Sequence, residues 1–163
     1  MDIRPAERRD AAAIAAIYNA GIDGRAATFD TEHKTARIVE EWLADGRPLL
    51  VAVVGDEVVG WARAAPYSPK AYYDGVAEAS IYVASGRRGA GVGSALMAAL
   101  AEAAERAGIY KLVGKLFAGH ATSRALVARH GFREVGTHIR HGRLDGEWRD
   151  VILVERPLGD AAE

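Results

Sequence analysis

One stretch of the chain restricts its fold more than any other. Ala79-Ser80-Ile81-Tyr82-Val83 is followed by Arg87-Arg88-Gly89-Ala90-Gly91-Val92-Gly93, and then by a long alanine-rich helical pattern from Ser94 to Ala107. The first run reads as a strand. The glycines let the backbone turn sharply and approach a ligand closely. A helix that starts directly after them presents unpaired N–H groups and the positive end of its dipole. Arg87 and Arg88 add charge at the same place. Together these parts make a cradle for a pyrophosphate. The spacing Gly89-x-Gly91-x-Gly93 differs from the dinucleotide pattern G-x-G-x-x-G, and no acidic residue follows at the end of a second parallel strand. No Gly-Lys-Ser/Thr closes the loop, which excludes a Walker loop. Two arginines and three glycines within this turn exceed what a ligand-free turn needs.

The flanking patterns place this unit in a larger order. Ile3-Arg4 begins a short strand. Asp10 is expected to cap a helix through about Ala20, with Ile14, Ile17 and Tyr18 on one face. A second helix is expected over Thr35 to Ala44, with Ile38, Val39, Trp42 and Leu43 as its apolar stripe and Asp45-Gly46 as its stop. Leu49 to Val54 reads as a buried strand that turns through Gly55-Asp56-Glu57 into a strand from Val58 to Ala65. Pro66 to Gly75 is a loop, and Ala77 to Val83 a strand. After the glycine turn and its helix come a strand over Lys111 to Phe117 and a helix over Ala121 to His130. Phe132 to His141 and Trp148 to Glu155 close the chain as a strand pair around Asp145-Gly146. The order is β-α-α-β-β-β-α-β-α-β-β. A hairpin precedes the strand–turn–helix unit, so the sheet is mixed and the class α/β (α+β).

Composition narrows the partners. The 163 residues fit a single domain over 1–163. Lys plus Arg total 21 against 22 for Asp plus Glu, a net charge of −1. Such a chain has no broad basic field, which argues against nucleic acid or an anionic membrane as the main partner. The absence of cysteine excludes disulfides, thiolate zinc sites and a thiol nucleophile. The charged start, Met1 to Asp10, does not read as a secretory signal, and the longest aliphatic run, Leu49 to Val54, falls far short of the ~20 residues that span a bilayer. A cytoplasmic location is expected. His138 and His141 sit three apart in a strand, which predicts opposite faces and no metal site. Trp42, Trp61 and Trp148 read as core.

Arg88-x-x-Gly91-x-Gly93 resembles the coenzyme A signature of the GNAT acetyltransferases, Q/R-x-x-G-x-G/A, and the element order resembles their fold over nearly the whole chain. Gly119-His120-Ala121-Thr122-Ser123 with Gly131-Phe132 is similar to the family's later N-x-x-S…G-F stretch, with His120 where Asn is usual. Within the superfamily the match resembles the phosphinothricin acetyltransferases, in Ala27-Thr28-Phe29-Asp30-Thr31 and in Pro66-Tyr67…Lys70…Tyr73-Asp74…Glu78…Ser80-Ile81-Tyr82-Val83. His141 to Val151 looks most like the arsinothricin N-acetyltransferase branch.

The resemblance implies a central, mostly antiparallel twisted sheet flanked by helices. It also implies acetyl-CoA as co-substrate with no metal, a small amino acid as acceptor, and a homodimer. Acetyl-CoA would be held by Ile81, Tyr82 and Val83, by Arg87, Arg88, Gly89, Gly91, Val92, Gly93 and Ser94, and by His120 and Ser123. Glu78 matches the family's base, which removes a proton from the acceptor's ammonium, directly or through water. The backbone N–H of Val83 is the implied oxyanion donor. Arg25, Phe29, Lys70, Tyr72, Tyr73, Glu78 and His141 are the candidate acceptor contacts. Arg25 and Lys70 would face a carboxylate or oxyanion, although either also reads as a solvated charge. Besides His120, three positions depart from the family: Asp145 stands where it carries a His, Lys70 where Arg is usual, and Val127 where many relatives have a Tyr that protonates the leaving thiolate. The implied reaction is acetylation of the α-amino group of a glutamate analogue, giving resistance to it. Methionine sulfoximine or another small amine is the alternative acceptor, and a non-catalytic acyl-CoA sensor the alternative class.

Overall fold

The glycine turn lies at the middle strands of the sheet. The computed structural model describes residues Met1–Glu163. Its elements are β1 (Asp2–Pro5), α1 (Ala11–Asp23), α2 (Ala36–Ala44), β2 (Leu49–Val54), β3 (Glu57–Pro66), β4 (Val76–Val83), α3 (Val92–Arg106), β5 (Lys111–Phe117), α4 (Ala121–Arg129), β6 (Arg133–Leu144) and β7 (Glu147–Pro157). The expected order of strands and helices holds throughout. The seven strands form one sheet, β1-β2-β3-β4-β5-β7-β6. Only β4 and β5 run parallel; every other neighbouring pair is antiparallel.

The helices cover the two faces unequally. Leu50, Ala52, Ala62 and Ala64 point to one face and pack with Leu96, Met97, Leu100 and Ala104 of α3 and with Val127 of α4. Leu49, Val51 and Trp61 point to the other, under Ile14 and Ile17 of α1 and Val39 of α2. Gly60 lets α3 lie close on β3, because a Cβ there would stand 3.0 Å from Leu96 Cδ1 and 3.1 Å from Val92 Cγ1. The second pair of helices reaches only the β2–β4 half of its face. The β5–β7 half carries a small cluster of Phe117, Leu144 and Val151, with Phe29 packed against it from the loop after α1.

Local details correct three expectations. Asp10 does not cap α1 with its side chain. Its buried carboxylate instead accepts from both terminal nitrogens of Arg4, at 2.8 and 2.9 Å, and from the Glu7 N–H at 2.8 Å, which ties β1 to the turn before the helix. Helix α1 continues to Asp23 through Gly21, where a Cβ would meet the Tyr82 ring at 2.8 Å; glycine there lets the helix approach β4. Trp148 is half exposed on β7, with Arg143 stacked 4.1 Å above its ring, so it lies outside the core.

The Arg4 guanidinium, through its hydrogen bonds, holds the Asp10 carboxyl below the usual carboxylate range. A depressed pKa contributes stability above the ordinary value, and that contribution is lost as pH falls through the folded one. Asp10→Asn is therefore expected to lower stability by about 2 kcal/mol at neutral pH. The difference from the native chain should close below about pH 4, as followed by urea melts over a pH series.

Candidate functional site

The parallel β4–β5 pairing lasts for three residue pairs and ends at Glu78↔Val113. Beyond it the two strands part. The Ala84 N–H donates to Val59 O, and in an antiparallel ladder the bonded positions alternate. With the β3 register this directs the backbone polar groups of Glu78, Ser80 and Tyr82 to β3. Those of Ile81 and Val83 point the other way, into the gap toward β5. Side chains alternate as well. Ala79, Ile81 and Val83 pack on the α3 side, while Glu78, Ser80 and Tyr82 face the side without α3.

At the end of β4 the chain makes a short 3-10 turn and enters the glycine segment. Gly89 and Gly91 have φ of 78° and 80°, the left-handed region that glycine adopts freely. Gly91 is the N-cap of α3, and the helix begins at Val92, two residues earlier than its pattern suggests. The amides of Val92, Gly93 and Ser94 therefore lie at the helix start without an intrahelical partner. The two arginines separate: Arg87 bonds Glu57 at 3.0 Å, whereas Arg88 makes no ion pair and is exposed. Ser94 Oγ lies 2.7 Å from His130 Nε2. Burial, with Arg156 and Arg129 nearby, pushes the His130 pKa down. The open space at Gly89 and Gly91, the free amides and Arg88 fit a pyrophosphate.

The uncovered face of β4 and β5 holds a cavity of about 450 Å³. Glu78 and Tyr82 form its floor with Lys115 and Phe117 of β5. Phe29 and the chain before it, 26–28, close one side, His141 another, and His120 and Ser123 of α4 line the end. Phe29 stands edge-on to Phe117, with ring centroids 4.8 Å apart. It fits because Gly142 has no side chain: a Cβ there would lie 2.7 Å from the Phe29 ring. Tyr18 donates to Asp30, and Asp30 N–H donates to Thr28 Oγ1, so α1 anchors this loop. Burial, then the bond to Asp30, pushes the Tyr18 hydroxyl up to about 12. Burial likewise raises Tyr82, which stacks on Trp61 at 4.9 Å.

His120 caps α4, its Nδ1 accepting from the Ser123 N–H at 3.1 Å. The structure thus brings Glu78, Tyr82, Phe29, His120, Ser123 and His141 together. It places Arg25 at a smaller neighbouring cavity, neutralised by Asp145 at 2.9 Å. Lys70, Tyr72 and Tyr73 lie outside the cavity wall. Tyr72 is two-thirds exposed, with Lys70 Nζ 5.8 Å above its ring and Tyr73 packed edge-on. His138 and His141 are not on opposite faces. Their rings stack 4.1 Å apart, because β6 bulges between His138 and Gly142 with Arg140 at φ 48°. Tyr18, Lys115 and Phe117 are site residues that the sequence reading missed. A lysine at the alternate, outward position of the apolar run Lys111-Leu112-Val113-Gly114-Lys115-Leu116-Phe117 was the available signal.

Residues 14–132 match the acetyltransferase (GNAT) family. The chain belongs to that family. It is an N-acetyltransferase by its relatives as well as its fold. Phosphinothricin N-acetyltransferase of Streptomyces coelicolor is 34% identical over 166 residues, which span 97% of this chain and 96% of that one. The L-methionine sulfoximine/L-methionine sulfone acetyltransferase of Pseudomonas aeruginosa is 31% identical, over 96% and 94%. The solved GNAT superfamily phosphinothricin acetyltransferase from Sinorhizobium meliloti, in complex with AcCoA, is 27% identical with a TM-score of 0.92, covering 98% of this chain and 89% of its own.

In this acetyltransferase the Gly142–Phe29 contact sets the width of the cavity. Gly142→Ala is expected to displace the Phe29 ring and raise the KM for the amine acceptor about tenfold. The KM for acetyl-CoA should stay within about twofold. Steady-state kinetics with each substrate varied in turn checks this.

Proposed function

We propose that this chain transfers acetyl from acetyl-CoA to the α-amino group of a small amino acid analogue of the phosphinothricin or arsinothricin type, and so detoxifies it. Glu78 carries the reading: a carboxylate in the wall of a cavity, at the point where β4 and β5 part. Acetyl-CoA supplies an activated acetyl thioester. Arg88 and the amides of Val92, Gly93 and Ser94 would hold its pyrophosphate, and the Ile81 and Val83 backbone its pantetheine arm. Glu78 takes the proton from the acceptor's ammonium and leaves a free amine to attack. The Val83 N–H donates to the carbonyl oxygen as negative charge builds on it, a contribution worth roughly 3 kcal/mol when well aimed. No cysteine is present to carry the acetyl group, so the amine attacks the thioester carbon directly, the C–S bond breaks as the amide forms, and coenzyme A leaves as its thiolate and takes up a proton.

The relatives named for phosphinothricin and for methionine sulfoximine support an amino acid analogue, and the second keeps methionine sulfoximine as a further acceptor. A carboxylate at Glu78, open to the cavity, argues against a non-catalytic sensor. We read the protein as cytoplasmic and as a homodimer.

The test is thiol release from acetyl-CoA with arsinothricin, phosphinothricin, methionine sulfoximine, glutamate, spermidine and a generic peptide. High kcat/KM on an oxyanionic glutamate analogue, with glutamate silent, is expected. Glu78→Gln should lower kcat on that acceptor about a hundredfold or more; full activity at neutral pH would remove the base assignment. Light scattering should return twice the chain mass of 17.4 kDa, and the single-chain mass would exclude the dimer.

A further inference from the structure

Two formal charges stand in the cavity wall, and they touch. Lys115 Nζ lies 3.2 Å from Glu78 Oε2. The contact follows from register. Val113 is the β5 partner of Glu78, and Lys115 is the next residue of β5 on the same face. An ammonium in the middle of an interior strand is unusual and needs a counter-charge or water. Of the neighbouring cations, Lys111 is held by Glu155 at 3.3 Å and Arg25 by Asp145 at 2.9 Å, while Arg149, at the adjoining cavity, stacks over the Phe117 ring at 5.7 Å without an ion pair. Lys115 has Glu78 alone. The Lys115 side chain is 54% exposed and that of Glu78 33%, so both charges open to the same space.

An α-amino acid carries the matching pair. Its ammonium, the group that must lose a proton, is one carbon from its carboxylate. An acceptor that docks its ammonium on Glu78 delivers its carboxylate beside Lys115. The geometry points to Lys115 as the residue that binds the acceptor's α-carboxylate and selects free amino acids, an assignment that rests on the acetyl-transfer reading above. Binding replaces one ion pair by two, Glu78 with the ammonium and Lys115 with the carboxylate. No charge is left unpaired in the process, which avoids the large cost of an uncompensated ion. An amine without a carboxylate leaves Lys115 in place as a competitor for the Glu78 oxygens.

The test compares the best α-amino acid of the panel with its α-carboxamide, using the full chain, Lys115→Gln and Lys115→Arg. The native chain should prefer the free acid by about ten- to a hundredfold in kcat/KM. Lys115→Gln should bring that ratio to within about threefold of unity, mainly by raising the KM of the acid, and Lys115→Arg should restore part of it. Calorimetric titration of the acid into each protein with coenzyme A bound should record the same loss of affinity. Equal losses for acid and carboxamide would overturn the inference. So would a defect confined to kcat with acid binding intact, since Lys115 would then act only through Glu78. Turnover limited to amines that lack a carboxylate would overturn it while acetyl transfer stands. Silence on every amino acid, with coenzyme A still bound, would remove the acceptor reading and this assignment together.

Discussion

Everything functional in this fold depends on a pairing that stops. β4 and β5 share three residue pairs and then separate. Neither strand needs the other to stay folded. β4 is paired with β3 as far as Val83, and β5 is paired with β7 over its whole length, Lys111 to Phe117. The split therefore costs only the ladder bonds between them. The polar groups it frees on Ile81 and Val83 want partners. In the function proposed above, those groups face the acetyl-CoA arm between the glycine cradle and Glu78, so that one interruption of the sheet serves both the co-substrate and the acceptor.

A slot is useful only if its walls keep their positions. Tyr82 is held by its Trp61 partner in the register and by the edge of Tyr18, 4.8 Å from centroid to centroid. Gly21 allows α1 to press on the same ring. This packing fixes the backbone of β4 from the side opposite the core of α3. Donors aimed by such a frame need little reorganisation when charge develops, which is where most of their effect arises. The unequal helix cover completes the arrangement. Helices α1 and α2 stop short of β5, and the space left over that half of the sheet is the cavity.

The parts legible in the sequence are those written in consecutive residues. The cradle announces itself by glycines and arginines after a strand. The element order follows from alternating periods and clear stops, and the Asp145-Gly146 turn from its own chemistry, with both residues at positive φ. What stayed hidden depends on register or on distant partners. Lys115 meets Glu78 only because parallel pairing sets Val113 opposite it. Arg25 is paired with Asp145, 120 positions away. The strand rule placed His138 and His141 on opposite faces, and one bulge at Arg140 defeated it. Trp148 reads as core by type, yet it sits on the exposed end of β7 with an arginine over its ring.

His120 shows how a histidine can fill a helix-capping position where asparagine is the usual choice. An asparagine before a helix offers an acceptor to the first turn and keeps an N–H₂ for other work. His120 accepts the Ser123 N–H through Nδ1, as an N-cap should. In the neutral ring that bond assigns the proton to Nε2. The imidazole borders both cavities, so in that tautomer its remaining nitrogen is a donor where the two meet. The two side chains differ in size and ring geometry but divide the same tasks between two polar atoms. One acceptor toward the helix and one donor toward the cavities is an arrangement that histidine can supply as well as asparagine.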